Sequence, residues 1–481
     1  MQIDRQTVLA ITAIRHIMSA QPAAASTRVA AISAHLRGRI LAGHSSAGDR
    51  LPSVRALARS HHVSPFTAAR VYELLVAEGL IEARRGSGYY VARDAEAFGA
   101  SGLPRPEPLV DSIWALRRDY DSHAVQVDAG CGWLPPEWLF GEGVRAALTQ
   151  VARRPAVYAG RYGSAYGLRA LRHHLARQLT LRGVDCAEDQ IVLTQGASQA
   201  LELAIRTFVR PGDTVLVEDP GYPYVLAMLR ACGAHPVGVP RTDHGPDVKA
   251  LDSLALQTRA RLFITNTTCQ NPTGTTTSLQ VAHAVLRVAE LHELTIIEDD
   301  IFAELPPEPA TPLAALDRLE RVIYIGSFSK TIAPSLRVGY LAAGADRAER
   351  VAMQKNMASL SSSELMEHLV LAILTSGRYR THLERLRGHL TAARTRLTRR
   401  FRDAGIAVPP HAGGMFLWAE LPGGDPAVIR RLARSQGILL APGEVFRPEG
   451  QPTAHWRFNV AYADDERLYG FLRSLRRTPP G

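Results

Sequence analysis

The sequence predicts an α/β chain in two parts: short helices closed by a strand pair, then a mostly parallel sheet covered by helices. Two observations predict this. Apolar runs at Gln190–Thr194, Thr214–Glu218, Leu262–Thr265, Thr295–Glu298 and Val322–Ile325 alternate with segments of helical period, as strands linked by helical crossovers do. Nearer the N-terminus the helical periods are short, and between Arg93 and Leu109 Gly, Ala, Ser, Pro and charge replace them, as in a linker. The expected division is an extension over 1–26, a head over 27–93, a linker over 94–125 and a body over 126–481.

At 481 residues, 46% apolar and 21% charged, the chain can bury more than one core and is too apolar to be disordered. An apolar run from Val8 to Ile14 is flanked by Asp4-Arg5 and Arg15-His16, which argues against a secretory leader. No apolar run is long enough to cross a bilayer, so no membrane partner is expected. Cys131, Cys186, Cys232 and Cys269 stand far apart with no CxxC pair. Neither a disulfide framework nor a zinc or other metal site is expected, and a reducing, cytoplasmic compartment is. The net charge of +10 suits a polyanionic partner. Residues 1–96 carry 12 arginines and no lysine against seven acidic residues, half of that surplus on a fifth of the chain. Only Lys249, Lys330 and Lys355 offer an amine nucleophile.

In the head, Val29, Ile32, Leu36 and Ile40 recur at helical spacing, ended by Ala42-Gly43. Ser53 is placed to cap a short helix carrying Leu57. After His61-His62-Val63, Ser64 caps a second helix with Pro65 at its first position, running to Glu78 and stopped by Gly79. Ile81–Arg85 and Tyr89–Ala92 around Gly86-Ser87-Gly88 then read as a hairpin. Two helices, a tight turn and a basic hairpin make a winged helix-turn-helix, whose second helix enters the major groove while the wing rests on the backbone. A small protein-binding helical module is the competing reading. Arg50, Ser53, Arg55, Ser64, Thr67, Arg70, Arg84, Arg85 and Ser87 fall where DNA would be met.

Over about residues 27–92 the head resembles the DNA-binding domain of the GntR family, through Leu51-Pro52-Ser53-Val54-Arg55, Thr67, and Glu78-Gly79-Leu80-Ile81 with Gly86-Ser87-Gly88. Double-stranded operator DNA is the partner this implies. Pro65-Phe66 departs from the family, which commonly has a polar residue after the serine. Base readout then falls to Thr67 and Arg70, with Phe66 set to meet a thymine methyl.

In the body, Ser327-Phe328-Ser329-Lys330 follows a strand and Arg337 follows soon after. An amine between hydroxyls and an arginine suits a Schiff-base cofactor with a phosphate handle; alone, it reads as a surface charge. Gly196-Ala197-Ser198-Gln199 opens the helical run Ala200–Val209 after a strand, offering N–H groups and a hydroxyl to an anion. Asn271-Pro272-Thr273-Gly274 alone reads as an ordinary turn, and Glu298-Asp299-Asp300 alone as a solvated edge or a metal site.

As an ordered set these segments resemble a class I aminotransferase of fold type I, dependent on pyridoxal 5'-phosphate, from about Gln126 onward. The resemblance implies a smaller C-terminal α+β subdomain. It makes Lys330 the lysine that joins the cofactor's aldehyde and Asp299 the partner of the ring nitrogen. Asn271 meets the ring hydroxyl and Tyr222 stacks on the ring. Ala197, Ser198, Ser327 and Arg337 hold the phosphate. Tyr162 reaches the phosphate of a neighbouring subunit, implying a homodimer, and Arg457 clamps an amino acid's carboxylate. Relatives usually have a tyrosine two or three residues after the aspartate; here stand Ile301 and Phe302.

Head, linker and body together resemble the MocR subfamily of bacterial regulators. The implied function is transcription regulation in which the body senses the cofactor or a small amino compound through an aldimine. The alternative is an amino-acid aminotransferase with accessory DNA binding.

Overall fold

The structure, a computed structural model, describes residues 29, 32–33, 35–36, 48–77, 80–84, 87–92, 125–153, 162–408, 413–422 and 425–475. Arg85, the extension over 1–26 and the linker up to residue 124 lie outside the described residues. The chain divides into two compact units, Met1–Arg105 and Pro106–Gly481.

In the first unit, α1 (Val54–Ser60) and α2 (Pro65–Ala77) precede a hairpin of β1 (Ile81–Arg84) and β2 (Gly88–Val91). Both caps form as the serines require: Ser53 Oγ accepts from Ala56 N at 3.2 Å, and Ser64 Oγ from Thr67 N at 3.1 Å. Leu57, Ala68, Val71, Tyr72, Leu75, Ile81 and Val91 close the core. Tyr72 donates to Pro52 O at 2.6 Å and stacks on Tyr89, tying the second helix to the turn before the first and to the wing. Leu51 N donates to Tyr89 O and Arg50 bridges Tyr90, so the segment entering α1 lies along the hairpin.

The second unit holds an eight-stranded sheet in the order β3-β10-β9-β8-β7-β4-β5-β6. Its strands are β3 (Ile191–Thr194), β4 (Thr214–Asp219), β5 (His235–Thr242), β6 (Gly245–Pro246), β7 (Leu262–Thr265), β8 (Thr295–Asp299), β9 (Val322–Ser327) and β10 (Gly339–Ala342). Strands β5, β4, β7, β8 and β9 pair in parallel; β10 is antiparallel to both β9 and β3. Ile191–Thr194 and Leu262–Thr265 are buried throughout, which is why they read as continuous apolar runs. Helix α3 (Arg169–Leu181) packs on one face and α4 (Ala197–Phe208) on the other. Helix α4 begins at Ala197, three residues before its apolar run, because polar Ser198 and Gln199 already lie in its first turn. A smaller sheet, β11 (Phe416–Glu420), β12 (Ala441–Pro442) and β13 (His455–Asn459), in the order β11-β13-β12, packs with the helix Tyr379–Asp403 as the α+β portion.

Since β3, β4, β7, β8 and β9 run the same way, Thr194, Asp219, Thr265, Asp299 and Ser327 end at one edge of the sheet. Open α/β sheets bind ligands at that edge.

Candidate functional site

Lys330 stands three residues beyond the end of β9, and its Nζ donates to Gly132 O at 2.6 Å. Burial pulls the amine down to about 8, with Arg457 and Arg337 lowering it further and Asp299 raising it. Asp299 ends β8 and is 4% exposed; burial and then Asp300 push its carboxyl up to about 7. Its Oδ1 is buried with no hydrogen-bond partner among the described residues. An unpartnered buried carboxylate oxygen calls for a donor that the chain does not supply.

Asn271 N donates to Asn266 Oδ1 at 2.8 Å, and Asn266 Nδ2 to Asp299 O at 2.6 Å, so one asparagine fixes both candidate residues. Arg457, on β13, donates from Nη1 to Asn271 Oδ1 at 2.9 Å and from Nη2 to Gly130 O at 2.7 Å. Its guanidinium lies 4.4 Å from the Phe416 ring centroid and 4.9 Å from that of Phe446, which holds the planar fork in place. Tyr222 caps the helix Pro223–Ala231. Burial raises its phenol, and the charges of Asp299, Arg457 and Arg337 all reach it.

Arg337 donates to Gln195 O at 3.1 Å, beside the first turn of α4, where Ala197 and Ser198 sit. Gly196 has φ +79°, and a Cβ there would fall 2.7 Å from the Arg337 guanidinium. At Gly339 a Cβ would meet Ala197 N at 2.8 Å. Two glycines thus clear the helix end for close approach. Ser327 Oγ donates to Ser329 Oγ at 3.1 Å and accepts from Ser329 N at 3.2 Å.

Lys330, Asp299, Asn271, Arg337, Tyr222 and Arg457 therefore converge. Tyr162 does not join them within one chain; its side chain is 82% exposed. Gly130, Gly132 and Asn266 were missed by sequence reasoning. Asn266 follows a strand end at the ligand-binding edge and could have been found by that rule; the glycine carbonyls carry no sequence signal. Of the three carboxylates at 298–300 only Asp299 faces this group. Glu298 accepts from Thr267 Oγ1 and from the backbone of Leu313 and Ala314, and Asp300 pairs with Arg182. No group of His, Cys, Asp and Glu among the described residues could hold a metal ion.

In the head, Arg55 is exposed on α1 and Arg70 on α2, where it pairs with Glu73 at 2.8 Å. Arg84 pairs with Glu82 and lies over the Tyr90 ring at 4.4 Å. Ser87 Oγ shares a 2.6 Å bond with Tyr90 Oη, and Arg50 lies beside Gly88. Thr67 Oγ1 is engaged with Ser64 Oγ at 2.9 Å. Phe66 is 83% exposed at the start of α2, an unusual place for a large aromatic unless a partner covers it.

Comparison with known proteins agrees with both parts. Residues 28–91 match the bacterial regulatory proteins of the gntR family, and residues 145–475 match aminotransferase class I and II. The HTH-type transcriptional regulator YdcR of Escherichia coli is 32% identical over 92% of this chain and 96% of its own length. The probable rhizopine catabolism regulatory protein MocR of Rhizobium meliloti is 30% identical over 85% of this chain and 84% of its own. The crystal structure of LysN, an alpha-aminoadipate aminotransferase from Thermus thermophilus complexed with N-(5'-phosphopyridoxyl)-L-leucine, covers 80% of this chain and 97% of its own at TM-score 0.69 and 26% identity. The chain belongs to the MocR-type regulators of the GntR family, in which a GntR-type helix-turn-helix head is joined to an aminotransferase-like domain.

Proposed function

We propose that the chain is a cytoplasmic, homodimeric regulator that binds operator DNA through residues 27–93. Its body, over 126–481 beyond a linker at 94–125, holds pyridoxal 5'-phosphate and senses an amino compound. The observation that carries this reading is the convergence of Lys330, Asp299, Asn271, Arg337 and Arg457 on one side of a chain that also bears a GntR-type head.

The residues present fit the cofactor. The buried, unpartnered Asp299 Oδ1 suits a protonated ring nitrogen, and the bare Cα of Gly196 lets the Arg337 guanidinium lie against the start of α4, which brings two kinds of anion donor together. When bound, pyridoxal phosphate supplies an aldehyde that condenses with amines and a ring that withdraws electrons. Lys330 Nζ, partly neutral near pH 7, supplies the amine that holds it. Asp299, through its unpartnered Oδ1, would keep the ring nitrogen protonated. Asn271 Oδ1 is taken by Arg457, so its Nδ2 would be the atom to donate to the ring hydroxyl, and Tyr222 would hold the ring from its face. The N–H groups of Ala197 and Ser198, the hydroxyls of Ser198 and Ser327, and Arg337 receive the phosphate. Exposed Tyr162 is available to a second copy. Arg457 receives the carboxylate of an amino compound and shares it with the Asn271 contact. The relatives named as regulators, and the phosphopyridoxyl-leucine in LysN, support both halves of the reading.

The DNA half is tested by operator affinity against salt, measured by fluorescence anisotropy. Each phosphate contact adds about 0.9 to the log-log slope. Arg55→Ala is expected to lower the slope by about that amount and weaken all sequences alike. Phe66→Ala should leave the slope unchanged and cost about 1–3 kcal/mol of preference for the selected duplex over random DNA. A flat salt response contradicts DNA binding by this head.

A further inference from the structure

A groove of about 590 Å³ lies between three helices of the body, Gly141–Val151, α3 and Glu364–Leu374. Among the described residues that line it, Val151, Leu371 and Ala372 are apolar, while Arg153, His173, His174, Arg177 and His368 are cations or imidazoles; none is acidic. None belongs to the set assigned to the cofactor.

The positive charge here is not offset. Arg153 and Arg177 are exposed, and neither forms an ion pair among the described residues. The carboxylates of the flanking elements have other tasks. Glu188 pairs with Arg169 at 2.5 Å and reaches His173 at 3.5 Å. Glu142 pairs with Arg378 at 3.1 Å, and Glu367 accepts from Leu168 N at 2.7 Å. Burial lowers His368, and Glu364, one turn ahead of it, raises it. Burial, then Arg177 and His173, hold His174 below its ordinary value, so like charges crowd one another with no anion between them. A concave wall of one sign concentrates the opposite charge from solution.

Donors also arrive from three directions. Arg153 stands just past the end of the first helix, His173 and Arg177 on successive turns of α3, and His368 on the third helix. That arrangement matches the three terminal oxygens of a phosphate, whereas a carboxylate takes its donors near one plane. The volume exceeds that of a bare phosphate and falls in the range of small-molecule sites, with Val151 and Leu371 to meet an organic body.

We propose that this groove binds a small phosphorylated molecule, with Arg153 and Arg177 on the phosphate and the organic body against Val151 and Leu371. The site is separate from the one assigned to the cofactor and does not depend on that assignment.

The test uses the full chain carrying Arg337→Ala, which keeps anions off the start of α4. Inorganic pyrophosphate and citrate are titrated by calorimetry at about 0.15 M salt, where isolated exposed charges are largely screened. One pyrophosphate per chain is expected, bound about tenfold tighter than citrate. Adding Arg177→Ala or Arg153→Ala should each weaken it about tenfold, the loss of one charge-assisted hydrogen bond; both residues are exposed, so the fold should survive. Adding Arg70→Ala, in the head, should change nothing. Hydrogen exchange should slow at residues 170–177 and 368–375 when pyrophosphate is added. Absence of saturable pyrophosphate binding, equal binding of citrate, or unchanged binding by the Arg177→Ala chain overturns the proposal. So does weaker binding of a random duplex by Arg177→Ala without any pyrophosphate binding, which would make the groove a DNA-backbone surface.

Discussion

Lys330→Ala is expected to abolish the visible absorbance that pyridoxal phosphate acquires on the chain, and to leave no cofactor on the polypeptide after borohydride reduction. The expectation is all-or-none because no other lysine can substitute. Lys249 is exposed on a helix between Val248 and Thr258. Lys355 is fully buried, its Nζ spent on Leu193 O at 2.7 Å and Ser362 Oγ at 2.9 Å. The unsubstituted chain should also show a characteristic pH dependence. With its amine lowered to about 8 from the ordinary 10.5, the neutral fraction of Lys330 rises with pH to one half near pH 8 and levels off about one unit higher. Attachment should therefore speed up about tenfold between pH 6 and 7, reach half its maximum near pH 8 and a plateau above about pH 9, short of the range of a free lysine. Mass spectrometry of the reduced chain checks both; cofactor found on another lysine in the variant contradicts the assignment.

A second large effect is expected in turnover. Phe302 is 1% exposed and meets Phe416 edge-on at 5.8 Å, and Ile301 packs into the same apolar cluster. Neither can donate to the oxygen of a bound ring. Tyr324, the phenol across β8, instead donates to Asp300. Loss of one preorganised donor has cost about 10²- to 10³-fold in acyl transfer, and a comparable deficit is expected for conversion of amino acid to keto acid. The loaded chain should change its absorbance rapidly on mixing with a suitable amino acid, yet release keto acid slowly. Stopped-flow spectra with keto-acid assay separate the two events. Turnover at ordinary enzyme rates, on the order of 1 to 10³ per second, would favour a working aminotransferase.

Much of this was legible in the sequence because the signals are local. Ser53 and Ser64 announce helix starts by residue type and position, and both caps form. Lys330, with Ser327 and Ser329 before it and Arg337 after it, is readable within eleven consecutive residues. Other features depend on contacts that periodicity cannot see. Arg457 bonds Asn271 across 186 positions, and Lys330 bonds Gly132 across 198. The run Glu298-Asp299-Asp300 looks like one acidic cluster, yet strand alternation and neighbouring helices send its members to three tasks: a helix N-terminus, the candidate site, and an arginine on the far side. Thr67 shows the converse limit. Its type suits base readout, while its hydroxyl is already engaged in the cap.

The central claim is that the head and the body of this chain act as one device. A ligand shifts a conformational equilibrium only through differing affinity for its states, and coupling between two sites is reciprocal. The decisive measurement is the affinity of the loaded full chain for the amino acid that most changes its absorbance, taken with and without the duplex selected from random DNA. The account predicts affinities differing by about 5- to 150-fold, with operator affinity changed by the same factor when that amino acid is present. Equal amino acid affinity in both conditions would contradict it.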